Sequence, residues 1–274
     1  MMYTKGEGLP FRKILAVDFE YCGADGELTD VVCMVTQDLQ SGEVSRYWQR
    51  DLLKMKTPPF ETGGDVALIS YFAPAEVQSM LALGWDIDVP VIDLFAEFRC
   101  QTNGNPNVGR KSLIGALQFF ELDHLIPEEK DSMRNLILSG GPWSKPQRSA
   151  ILDYCQQDVV ALGPLLNAML RNAPWSELQF NQALLRGRYM KAVGAMQHRG
   201  IPIDLGMLDK LDANWEKIKL NLIENVDAQY CVYVDGRFKE ALFQSYLARE
   251  GIPWPRLDSG RLALDRNTFS NMSK

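Results

Sequence analysis

The stretch Lys13-Ile14-Leu15-Ala16-Val17-Asp18-Phe19-Glu20 decides how this chain is to be read. After Lys13, the run Ile14 to Val17 is apolar and predicts a buried strand. Side chains alternate faces along a strand, so Asp18 and Glu20 point the same way and Phe19 points into the opposite layer. Two carboxylates held side by side repel strongly unless a divalent cation lies between them. A strand ending in this way is a platform for Mg²⁺ or Mn²⁺; the competing reading is a solvated strand end.

The composition is that of an ordinary globular protein. The chain has 274 residues, 46% hydrophobic and 23% charged, enough for one large domain or two ordinary ones. No apolar run approaches the length of a membrane span, and Met1 to Arg12 lacks the apolar core of a signal peptide. The five cysteines, Cys22, Cys33, Cys100, Cys155 and Cys231, are scattered and never form a Cys-x-x-Cys pair. Free thiols in a reducing cytoplasm account for them without a zinc site. A net charge of −6 and a pI near 5.1 argue against a surface that grips phosphate everywhere, while leaving room for a local basic patch.

A second carboxylate signal lies far downstream. From Pro146 to Leu170, apolar residues recur at helical spacing through Ile151, Cys155, Val159, Leu162, Leu166 and Met169. Within this helix Tyr154 and Asp158 stand four residues apart, on one face. Tyr154 can then bond a water beside a metal held by Asp158.

Asp-x-Glu on a first strand and Tyr-x-x-x-Asp on a late helix together resemble the first and third motifs of DEDD 3′–5′ exonucleases. The tyrosine resembles that of the subgroup containing RNase D and the proofreading domain of family A DNA polymerases. Val91-Ile92-Asp93-Leu94 and Gly109 to Leu117 resemble the intervening strand and the helix that opens on Ser112-Leu113. The likeness spans about residues 10–172 and implies an α/β fold, an RNase H-like mixed sheet flanked by helices. The family's middle aspartate falls in register on Glu76, near the start of a helix opened by Pro74, with Phe72 where an asparagine is usual. The competing reading of Glu76 is an exposed first-turn glutamate favoured by the helix dipole. Asp93 is the next carboxylate in line.

Beyond about Trp175 the pattern turns to long helices. Phe180 to Gln197 is helical, Gly200 to Asp204 reads as a helix stop, a short strand and a new N-cap, and an amphipathic stripe runs from Leu205 to Val226. That stripe predicts helix–helix packing. Arg199 to Asp204, Phe238 to Pro253 and Ser259 to Leu264 resemble the thumb of a family A DNA polymerase. The palm and fingers motifs are absent from the sequence. These readings place an RNase H-like exonuclease domain at 1–174 and a mostly helical thumb-like region at 175–274, as a polymerase fragment or as a free-standing enzyme.

The resemblance implies two Mg²⁺ or Mn²⁺ ions, with Asp18 bridging both, Glu20 and Asp158 completing the first, and Glu76 supporting the second. Tyr154 would orient the attacking water, so Asp18, Glu20 and Tyr154 are the expected catalytic residues. The implied substrate is single-stranded DNA or a DNA 3′ end, the implied location is cytoplasmic, and polymerase or other replication components are the implied partners. Tyr21, Arg99, Arg110, Lys111, Arg186, Arg188 and Lys191 are candidate strand contacts. Two rival expectations are a catalytically weak nuclease fold serving as a DNA-holding or structural module, and an RNase D-like exonuclease acting on RNA.

Overall fold

The computed structural model describes residues 2–3, 9–23, 26–123 and 127–272. It divides into two compact units, Met1–Ile201 and Pro202–Lys274. The first contains β1 (Met2–Tyr3), β2 (Lys13–Cys22), β3 (Asp30–Asp38), β4 (Val44–Trp48), α1 (Gln49–Leu52), β5 (Val66–Ser70) and α2 (Ala73–Ala82). It continues through β6 (Val91–Asp93), α3 (Leu94–Gln101), α4 (Leu113–Phe119), α5 (Pro127–Leu138), α6 (Lys145–Asn172), β7 (Trp175–Ser176) and α7 (Glu177–Arg199).

The central sheet has the order β4-β3-β2-β5-β6. β2, β3 and β4 form an antiparallel meander, while β5 and β6 run parallel to β2. This is the RNase H-like mixed sheet. β2 lies in its middle and separates two packed layers. Leu15, Val17 and Phe19 face one core with Met34, Leu68, Met80 and Trp85. Ile14 and Ala16 face the other with Ile92, Ile151, Val159 and Leu162. The alternation read from the sequence therefore holds along β2, and it sets Asp18 and Glu20 on the face covered by α6.

Local chemistry fixes the helix starts. Ser144 caps α6 with a capping box completed by Gln147, and Ser112 caps α4 through the Gly115 amide. Ser176 and Gln179 repeat the capping box at α7.

α7 belongs to the first unit, so the compact units divide later than the change in sequence pattern near Trp175. The reason is a pair of glycines seven residues apart. A Cβ at Gly187 would overlap the Val91 carbonyl, and one at Gly194 would lie 2.8 Å from the Pro74 carbonyl. The bare face lets α7 lie directly on α2 and β6. Arg186 then pairs both nitrogens with buried Glu97 at 2.6 and 2.7 Å. That bidentate bond makes Arg186 a packing residue, not a free strand contact. Lys111 is likewise turned inward, bonding Thr102 Oγ1 at 3.3 Å over the Phe98 ring.

The second unit contains α8 (Leu205–Tyr230), β8 (Tyr233–Val234), β9 (Arg237–Phe238), α9 (Glu240–Arg249) and α10 (Arg266–Met272). Asp204 caps α8 as expected, but residues 201–203 form no strand. A small core gathers Val232, Phe243, Leu247 and Leu262, with Trp254 packed edge-on to Phe243. α8 has no buried residue, so the stripe expected to pack against other helices stands exposed, Trp215 and Leu222 included. Among the described residues no helix is long and apolar enough to cross a membrane.

Residues 200–204, between α7 and α8, are exposed and form no helix or strand, and Arg199 before them is exposed at the end of α7. Limited trypsin treatment is expected to cut first at Arg199 and to leave a folded core carrying α7. Mass spectrometry of the fragments checks this, and a first cut near Asn172 to Ser176 would contradict it.

Candidate active site

β5 stays in register with β2 only from Lys13↔Val66 to Ala16↔Ile69. Beyond Ala16 the β5 edge of β2 is open, because the chain leaves Ser70 for α2. β2 also shifts register against β3 between Glu20 and Tyr21. Such an irregularity ends regular pairing and re-aims the residues beside it. Asp18 and Glu20 thus sit where the middle strand outruns its parallel neighbour, at the carboxyl end where open α/β sheets place their sites.

α6 covers this point. Cys155 Sγ donates to Asp18 Oδ2 at 3.4 Å, and Tyr154 is 8% exposed. Among the described residues, Asp18, Glu20 and Cys155 form a group whose donor atoms all lie within 4.8 Å of one another. Burial pushes the Cys155 thiol up, so it serves Asp18 as a hydrogen-bond donor rather than as a thiolate. Sequence reasoning treated Cys155 only as a helix-core residue. Its position three residues before Asp158, on a neighbouring helix face, was the available signal.

Glu76 enters from the other layer. It is 4% exposed, which excludes the solvated first-turn glutamate. Burial raises its pKa well above the usual range, Asp18 and Glu20 add to the rise, and the Phe19 N–H opposes it. Its Oε2 is buried without a hydrogen-bond partner. Glu76 also borders a cavity of about 70 Å³, walled largely by Val17, Leu68, Met80, Trp85 and Val91. Where an asparagine was expected, Phe72 takes a left-handed conformation, φ 81° and ψ 62°, and caps nothing with its side chain. The cap comes from Asp93 instead. Its Oδ2 accepts the Ala73 N–H at 2.7 Å and its Oδ1 the Ala96 N–H at 2.9 Å. Asp93 therefore ties the starts of α2 and α3 together, with both oxygens engaged. Burial lifts its carboxyl to about 6 against the pull of the backbone N–H groups of Ala96, Ala73, Phe95 and Phe72.

Asp158 lies on the same face of α6 and contributes to the field on Asp18, Glu20 and Tyr154. Its Oδ2 accepts the Lys130 ammonium of α5 at 2.8 Å. The sequence carried no sign of Lys130, one of several charged residues on a polar helix. Burial first, and then Asp158, raise the Asp18 carboxyl to about 7, with Cys155 and Lys130 opposing. Glu20 is raised well above its usual range by burial and then by Asp18. Burial, then Asp158, Glu20 and Asp18, push the Tyr154 hydroxyl up, so it keeps its proton at neutral pH.

These residues fit a divalent cation. Carboxylate oxygens suit hard cations such as Mg²⁺ and Mn²⁺. The unbonded Glu76 Oε2 and the raised carboxyls mark groups whose ionised form the protein alone does not fully compensate. Among the described residues the close group is Asp18, Glu20 and Cys155. Asp158 acts electrostatically on Asp18 and Glu20, which in turn act on Glu76, and Asp93 is kept on backbone amides.

No family model and no curated protein matches the chain. Among solved structures, the POL domain of Pol1 from M. smegmatis, determined with DNA primer-template and dNTP, aligns with TM-score 0.53 and 14% identity. The alignment covers 96% of this chain and 42% of that one. Escherichia coli RNase D aligns with TM-score 0.45 and 13% identity over 95% of this chain and 67% of that one. Brucella melitensis NrnC aligns with TM-score 0.45 and 14% identity over 68% and 85%. At these identities the likeness is one of fold. The chain has an RNase H-like fold, a mixed sheet flanked by helices.

The raised Asp18 carboxyl has a consequence for stability. In the unfolded chain it ionises near 3.8, and in the fold near 7. Between those values the folded state binds more protons, so stability falls as pH rises through the window and stays lowered above it. In EDTA, Asp18→Asn is expected to flatten this dependence. Near pH 8 it should melt about 2–4 °C above wild type, the shift expected for each 1 kcal/mol in a domain of this size. Thermal melts across the range check this, and a variant melting no higher than wild type would contradict it.

Proposed function

We propose that the chain is a divalent-metal-dependent 3′–5′ exonuclease that hydrolyses DNA phosphodiesters from a 3′ end, of the polymerase-proofreading type. The observation that carries this reading is the convergence of Glu76 on Asp18 and Glu20. It comes from a separate element, is almost wholly buried, and has an oxygen that no protein group satisfies. Burying Glu76 beside two half-buried carboxylates is expensive and serves no packing purpose. The fold shared with the M. smegmatis Pol1 POL domain, solved on a DNA primer-template, is consistent with a DNA substrate.

Asp18, Glu20, Glu76 and Asp158 would hold the cations, Mg²⁺ or Mn²⁺ and two in number. When bound, these supply Lewis-acid stabilisation of the charge that develops on the phosphate and ease ionisation of the attacking water. The chain's own residues do the rest. Tyr154 keeps its proton and holds the water by its hydroxyl for attack on phosphorus. Cys155 donates to Asp18 Oδ2 and fixes the carboxylate's rotamer. Asp93 caps α2 and so holds Glu76 against β2. Breaking the P–O3′ bond frees the 3′-hydroxyl of the shortened strand, and the released nucleotide keeps the 5′-phosphate.

The Lys130–Asp158 ion pair favours a second reading, in which the site is silent and the fold holds DNA without cutting it. A 5′-labelled single-stranded DNA oligonucleotide, incubated with Mg²⁺ or Mn²⁺, separates the two. The enzyme gives a shortening ladder that EDTA abolishes, and an RNA oligonucleotide beside it reads the sugar preference. No product above an Asp18→Ala control in either metal would leave the silent reading standing.

Glu76→Gln keeps the size of the side chain and removes its charge. It is expected to lower turnover by about 10-fold or more, equivalent to about 1.4 kcal/mol of transition-state stabilisation. Its melting temperature should equal or exceed that of wild type, because a buried carboxylate leaves a crowded cluster. Wild-type turnover in this variant would remove Glu76 from the site.

A further inference from the structure

Lys130 lies on α5, which packs against both β2 and α6. Its ammonium is 2.8 Å from Asp158 Oδ2 and 5.5 Å from the centre of the Tyr154 ring. Both partners of the ion pair are largely enclosed, with side-chain exposures of 27% and 16%. The same charge reaches further, opposing the rise of the Asp18 and Glu20 carboxyls. Arg134, one turn along α5, acts on Tyr21 instead. Lys130 therefore neutralises part of the carboxylate group from within the chain, at an oxygen that also has to bind metal.

We propose that Lys130 is the built-in counter-ion of this centre: without metal its ammonium occupies Asp158, and a divalent cation binds by displacing it. The inference rests on the reading of the carboxylates as metal ligands. The argument is geometric. An ion such as Mg²⁺ binds a carboxylate oxygen at roughly 2.1 Å. With Nζ at 2.8 Å from the same oxygen, the two cations would stand no more than about 4.9 Å apart in a poorly solvated cleft. The two cations would repel each other and compete for one oxygen, and the divalent ion holds it more strongly than a monovalent ammonium. Lysine is suited to leaving, since its charge rides on a flexible four-carbon stem. The Tyr154 ring face, already 5.5 Å from the ammonium, remains as a partner once the oxygen is lost. The exchange makes metal affinity a competition that the protein has set, with Lys130 lowering it.

Mn²⁺ titration of the full chain tests this, with free Mn²⁺ read by electron paramagnetic resonance at fixed ionic strength. Lys130→Met preserves the stem and removes the charge. It is expected to bind Mn²⁺ about 10-fold more tightly than wild type, equivalent to about 1.4 kcal/mol. Lys130→Arg keeps the charge and is expected to stay near wild type. In an Asp158→Asn background, Lys130→Met should change affinity little. In EDTA, Lys130→Met should melt below wild type and recover with saturating Mn²⁺; should it fail to fold even with Mn²⁺, Lys130→Gln makes the same comparison. Affinity in the charge-removed variant equal to or weaker than wild type would overturn the displacement. An unchanged melting temperature in EDTA would overturn the counter-ion role. Absence of Mn²⁺ binding in every variant would sink the metal reading and the displacement together. Tighter binding in Lys130→Met with no cleavage by any variant would sink only the nuclease reading.

Discussion

Mutual repulsion among carboxylates at the end of the middle strand is the constraint around which the first unit is built. Asp18 raises the pKa of Glu20, and both raise that of Glu76, in a region already poor in water. Something must hold them there against that repulsion. β2 is hydrogen-bonded on both edges and buries Ile14, Leu15, Val17 and Phe19 in two separate cores. At about 1.5–3 kcal/mol for each large apolar side chain, those four contribute roughly 6–12 kcal/mol before entropy is counted. Only a strand anchored on both faces can carry this much unmet charge at its tip.

The same logic explains the supports around the site. Phe72 cannot cap α2, so Asp93 reaches from the end of β6 to do it, and in doing so it ties α3 to α2. α7 presses on α2 and β6 through Gly187 and Gly194, which leaves the first turn of α2 little room to move. Glu76 is thus held from two directions, by the Asp93 cap and by α7. The second unit has none of this density. Its core is a small aromatic group, and its longest helix buries nothing.

The sequence made some of this readable, for physical reasons. Period-two alternation fixes which β2 residues share a face, and a spacing of four fixes Tyr154 beside Asp158. Both are local rules, and both held. The depth of Glu76 was not readable, because it depends on β5 ending before β2 does, a fact of register between strands some fifty residues apart. The extent of the first unit was hidden in a similar way. A glycine inside a helix lowers propensity wherever it falls, and nothing local says that Gly187 and Gly194 face a carbonyl and a neighbouring helix turn. Lys130 was the least visible of all. A lysine on a charged helix is an ordinary solubilising residue until the fold sets it against Asp158.

The division of the carboxylate group between β2 and α6 also sets an order of events during synthesis. Asp18 and Glu20 are made early, but Tyr154, Cys155 and Asp158 follow about 135 residues later, a delay of roughly 7–27 s at 5–20 residues per second. Until α6 has left the ribosome, the cleft has one wall. A nascent chain therefore carries only part of this carboxylate group, and the group closes only after the first unit can fold.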